Sequence, residues 1–87
     1  MQIYRLFSIY DRKVGSYMMP FFGINAQTVM RDLPAQLPAD HIIRKVPGDF
    51  SLYEIGSFSD DTGFMTVHVK PLFICEFIDL LKTDDVV

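Results

Sequence analysis

The sequence predicts an α+β domain: a small three- or four-stranded antiparallel sheet with one main helix packed on it and a short C-terminal helix. Three observations lead there. Phe50 to Phe58 is rich in aromatic and β-favouring residues, Ser59 to Gly63 is turn-forming, and Phe64 to Val69 returns as a second apolar, β-branched run, so the segment reads as a hairpin. Ile3 to Tyr10 is another strand-like run, apolar on both alternating faces. Between the two, Ala26, Val29, Met30 and Leu33 recur at helical spacing. With 87 residues the chain supports one modest core, and a single domain over 1–87 is expected.

In chain order, Ile3 to Tyr10 places Ile3, Phe7 and Ile9 on one face and Tyr4, Leu6 and Tyr10 on the other, which suits a central strand. Asp11 to Ser16 is a polar turn, and Tyr17-Met18-Met19 reads as a short returning strand that Pro20 confines to an edge or ends. Asn25 is placed to cap a helix running to Leu33, and Pro34 is expected to stop it. Its apolar stripe should face the sheet, with Gln27, Arg31 and Asp32 toward water.

From Pro34 to Asp49 three prolines, Pro34, Pro38 and Pro47, predict an irregular connection with a turn of helix over Ala39 to Arg44; its basic cluster of His41, Arg44 and Lys45 makes it a candidate contact loop. After the hairpin, Pro71 is expected to break the last strand. Phe73 to Lys82 then reads as a short helix with Phe73, Phe77, Leu80 and Leu81 toward the body, and Thr83 to Val87 as a frayed end.

Composition narrows the function classes. The net charge of −3 excludes a surface that is basic throughout, but the acids are unevenly placed: four lie from Glu76 onward against one base, leaving residues 1–75 with seven of each sign. A neutral body can carry a local basic patch. With 49% hydrophobic residues, including eight Phe and four Tyr, self-association is expected to cover surplus apolar surface. Cys75 is the single cysteine, which rules out an internal disulfide and suits a reducing compartment. The N-terminal sequence lacks a signal-peptide layout, and no apolar run approaches the roughly 20 residues of a membrane span.

Acid-base or nucleophilic chemistry needs a base held near a nucleophile or a matched carboxylate pair. His41 and His68 have no such partner pattern, Asp60 and Asp61 belong to the turn, and no phosphate loop, His-x-Glu or Cys-x-x-Cys motif occurs. A non-enzymatic protein with no metal and no cofactor is expected. Single-stranded nucleic-acid binding asks for aromatic faces to stack bases and a few cations to meet phosphates. Tyr10 preceding Arg12 and Lys13 fits that pattern, as does Tyr53 if its strand pairs with the first.

Ser8-Ile9-Tyr10-Asp11-Arg12-Lys13, then Tyr17, Pro20-Phe21-Phe22 and Asn25, then Pro47-Gly48-Asp49-Phe50-Ser51-Leu52-Tyr53-Glu54-Ile55-Gly56-Ser57-Phe58 and Thr62-Gly63, carry a resemblance over roughly residues 3–71. In this order and spacing the chain resembles the small non-structural protein of gokushovirus-type microviruses, phages with single-stranded DNA genomes. The resemblance implies a non-enzymatic DNA-binding protein in the host cytoplasm that assists the switch from duplex replication to single-strand genome synthesis and packaging. The phosphate contacts expected on this reading are Arg12, Lys13, Arg44 and Lys45, with Tyr10 and Tyr53 as stacking residues. An isoelectric point near 5.1 calls for a homo-oligomer that gathers its cations into one groove.

The competing reading is a regulator that contacts the phage replication initiator, the procapsid or a host factor without touching DNA. DNA binding calls for Arg12, Lys13, Arg44, Lys45 or Lys70 on one exposed face. A protein-binding module calls for an uncharged patch of exposed Phe, Tyr or Met.

Overall fold

In the computed structural model, which describes residues 1–82, the chain folds as an antiparallel sheet whose helices gather on one face. The sheet order is β2-β1-β4-β5, with β3 also paired to β1. Strand β1 (Ile3–Asp11) is central, as its two apolar faces predict, with β4 (Phe50–Ser59) along one side. Along the other side lie β2 (Ser16–Tyr17) and β3 (Phe21–Gly23). These two are one edge strand interrupted at Met18–Pro20. From the pair Tyr10↔Tyr17 to the pair Phe7↔Phe21, β1 advances three residues and its partner four, so one extra residue bulges out where Pro20 stands.

The turn between β1 and β2 is set by Asp11, whose side chain accepts from the Lys13 and Val14 amides, and by Gly15 at φ 80°. Helix α1 (Ala26–Gln36) starts at Asn25, whose side chain accepts from the Thr28 amide at 2.8 Å. Val29 and Leu33 are buried against the sheet and Ala26 and Met30 pack beside them, the face read from the sequence. Gly23 permits this docking, because a Cβ there would collide with the Val29 side chain.

Pro34 does not end the helix. It is buried inside α1, which runs two residues further and stops at Leu37. The end of the helix is held from outside: the Arg44 guanidinium donates to the carbonyls of Pro34 and Leu37, delivering hydrogen bonds and positive charge to the C-terminal end of α1. The helical turn expected over Ala39 to Arg44 lies slightly later, as α2 (Ile42–Lys45), capped by His41 Nδ1 on the Ile43 amide. A 3-10 turn at Pro47–Asp49 leads into β4. This irregular connection buries Ile43 in the core.

The hairpin forms as read. Gly63 takes φ 77° in the turn, and its amide donates to the Ser59 carbonyl. Pro71, however, does not break the last strand: β5 spans Met65–Glu76. Between the pairs Gly56↔Val67 and Glu54↔Leu72, Ile55 alone faces the four residues His68 to Pro71, so the proline falls in a wide bulge on an edge strand, where its missing N–H costs no ladder bond. Pairing then resumes through Tyr53↔Phe73 and Ser51↔Glu76. Residues 73–76 are thereby held extended, and the C-terminal helix α3 begins only at Phe77 (Phe77–Lys82). The expected fraying of Thr83 to Val87 lies outside the described residues.

The core is a single cluster on the helix side. Phe7, Ile9, Phe50 and Leu52 supply the sheet layer, and Val29, Leu33, Ile43, Phe77 and Leu81 the helical layer. Among the described residues no helix is long and apolar enough to cross a membrane.

Candidate nucleic-acid interface

Strand alternation fixes what the opposite face, free of helices among the described residues, presents. With Phe7 and Ile9 turned to the helices, β1 turns Tyr4, Leu6, Ser8 and Tyr10 the other way. Register adds Ser51 and Tyr53 from β4, Tyr17 from β2, Phe22 from β3 and Phe73 from β5. The extra residue Ile55 re-phases β4, so that Gly56 and Phe58 rejoin the same face opposite Leu6 and Tyr4. Gly56 is required at this point: a Cβ would run into the Thr66 carbonyl of β5.

The result is a row of four rings crossing all four strand positions. Tyr17 and Tyr10 have centroids 4.8 Å apart, Tyr17 and Tyr53 5.5 Å, Tyr10 and Tyr53 6.2 Å, and Tyr53 and Phe73 5.8 Å. Tyr17 and Phe73, at the two ends, are 44% and 55% exposed, while Tyr10 and Tyr53 are half-buried between them. Burial pushes the Tyr17 phenol above its ordinary pKa, and the Tyr53 and Tyr10 phenols add to the shift, so it is neutral at physiological pH. At the other end of the face, Phe22 and Phe58 meet edge to face at 6.0 Å and line an open hollow of about 420 Å³ with Tyr4 and Met65.

The sequence-derived candidates separate in space. Tyr10 and Tyr53 come together in the ring row. Arg12 reaches the same end of the face, but both its terminal nitrogens are engaged: Nη2 donates to Glu76 Oε1 at 2.6 Å and to the Gly48 carbonyl at 2.6 Å, and Nη1 donates to the Ser51 hydroxyl. Ser51 in turn donates to Glu76 Oε1 at 2.9 Å. This network holds the Glu76 carboxyl below the usual carboxylate range, chiefly through Arg12, with Ser51 helping against the effect of burial. Lys13 turns away, lining a hollow with Ile42, Val46 and Asp49 on the α2 side. Arg44 is spent on the end of α1, and Lys45 stands exposed on α2. The four cations therefore do not form one patch.

Three participants were not read from the sequence. Tyr17 could have been, since it and Tyr10 symmetrically flank the turn between β1 and β2. Phe73 was hidden by the helix assigned after Pro71, and Glu76 by the distance in sequence between it and Arg12. On the other side of the sheet, His68 Nε2 lies 2.7 Å from Glu54 Oε2, and Arg5 Nη1 lies 3.7 Å from the same oxygen. These side chains tie β5 to β4 and β1 across the bulge. Among the described residues no group of three or more His, Cys, Asp or Glu could hold a metal ion.

Fold and surface together define a small α+β protein with an open aromatic sheet face. The chain belongs to the Phage ORF5 protein family, whose model it matches over residues 4–80, a span that holds β2 to β5, α1 and α2 whole and all of β1 but Ile3. It is thus a phage protein. No curated protein and no solved structure matches it.

Proposed function

We propose that this phage protein binds single-stranded DNA by stacking bases on its open sheet face, and in the host cytoplasm assists the switch from duplex replication to single-strand genome synthesis and packaging. The observation that carries the reading is the ring row Tyr17-Tyr10-Tyr53-Phe73, laid across a sheet face that, among the described residues, no helix covers. Exposed rings on a sheet accept any base, because every base has a π-face, and such stacking is worth about 1–3 kcal/mol per base. Since Arg44 and Arg12 are engaged, affinity on this reading comes more from stacking than from phosphates, and its salt dependence is shallow. Membership of a phage family and the resemblance to the non-structural protein of single-stranded DNA microviruses support the same role.

The test is fluorescence anisotropy of a labelled single-stranded oligonucleotide at two salt concentrations, with duplex as competitor. Saturable binding that prefers single strands and falls for Phe73→Ala and Tyr17→Ala supports the reading. No binding at tens of micromolar in low salt refutes it.

A second reading has its own observation. The hollow lined by Tyr4, Phe22, Phe58 and Met65 is uncharged, as a protein-binding surface would be. A regulator docking a replication or capsid protein there, or a second copy forming a homo-oligomer, would survive loss of Phe73 but not Phe22→Ser.

A further inference from the structure

We propose that Arg12 and the Ser51 hydroxyl form a phosphate seat at the edge of the ring row, and that the carboxylate of Glu76 occupies this seat as a built-in competitor for nucleic acid. The inference rests on the single-strand-binding reading and adds its regulation. Three features of the geometry carry it.

The first is location. Ser51 and Tyr53 are two residues apart on β4 and share the open face, a separation of about 7 Å. A phosphate held at Ser51 therefore belongs to a nucleotide whose base lies on the row.

The second is construction. Ser51 is fully buried, yet its hydroxyl turns to the Arg12 guanidinium, whose two terminal nitrogens present donors side by side. A fork of this kind suits either a carboxylate or a phosphate. Gly48 fixes the guanidinium from the side through its carbonyl, so the seat keeps its shape when Glu76 leaves.

The third is exchangeability. The Arg12 and Glu76 side chains are 41% and 32% exposed, and ion pairs shared with solvent to this extent lie near energetic break-even. A phosphate brought in by stacked bases therefore competes with the carboxylate for the fork instead of finding it free. Glu76 is the last residue of β5, and it shares the turn into α3 with Asp79. Wild-type protein consequently meets DNA with its row-side cation neutralised.

The experiment measures oligothymidine binding by anisotropy over a salt series for wild type, Glu76→Gln and the double variant Arg12→Gln/Glu76→Gln. Glu76→Gln should bind about 5- to 10-fold tighter and steepen the logarithmic salt slope by about 0.7, one added phosphate contact. The double variant should return to the wild-type slope. Wild type that binds, with Glu76→Gln unchanged in affinity and slope, overturns the seat and leaves the stacking reading standing. Failure of both to bind overturns the two together. If Glu76→Gln does not fold, the Arg12 guanidinium resonances of wild type decide: a shift on adding oligothymidine supports the seat, and none overturns it.

Discussion

The Glu76 carboxylate lies 2.6 Å from the Arg12 guanidinium, tying the last residue of β5 to the turn that follows β1. Because the pair lowers the folded-state pKa of Glu76, its contribution is present in full above the ordinary carboxylate value of about 4.3 and is lost as pH falls through the lower folded value. Thermal midpoints of wild type and Arg12→Ala should therefore differ by a few degrees at pH 7, and the gap should narrow in strong acid to what the Gly48 and Ser51 bonds of Arg12 contribute. A constant gap across that range would show that the carboxylate is not the partner that matters.

Arg44 gives a contrasting prediction. Its guanidinium bonds the carbonyls of Pro34 and Leu37, so Arg44→Ala should cost about 1.5–3 kcal/mol of stability in urea unfolding. Affinity for single strands should stay the same where the protein is folded. A stable variant with weakened DNA binding would return Arg44 to the interface.

Two glycines separate crowding from backbone conformation. A Cβ at Gly56 meets the backbone of Thr66, and Gly56→Ala should cost on the order of 3 kcal/mol or abolish folding. Gly63 sits at φ 77° in open space, and Gly63→Ala should cost about 1 kcal/mol, the strain of the left-handed conformation alone. Equal losses at the two positions would contradict the register of β4 against β5.

Burial raises the Cys75 thiol to about 11, with Glu76 and Asp79 adding to the shift. Native protein at pH 7.5 should therefore react with a thiol reagent much more slowly than urea-unfolded protein. Equal rates would place Cys75 on an open surface.

The local parts of the fold were legible in the sequence, and the long-range ones were not. The hairpin, the central strand and the Asn25 cap each depend on neighbours within a few residues, and all three formed as read. Pro34 and Pro71 misled, because the rule that prolines stop elements assumes that the lost bond matters. The helix end just beyond the first is held by Arg44, and an edge bulge needs no ladder bond at the second. The site divides the same way. Tyr10 and Tyr53 could be paired from strand alternation, but Phe73 depended on β5 surviving its proline. The engagement of Arg12 depended on a residue 64 positions away.

The central claim is that bases stack on the ring row, and the protein carries its own reporter for it. It has no tryptophan, and its four tyrosines, Tyr4, Tyr10, Tyr17 and Tyr53, all lie on the open face. Titrating wild type with unlabelled oligothymidine while reading tyrosine emission tests the claim directly. Saturating quenching by single strands, absent with duplex and reduced in Tyr53→Phe, is the predicted result. Emission that stays constant while anisotropy reports binding would contradict it and place the DNA elsewhere on the protein.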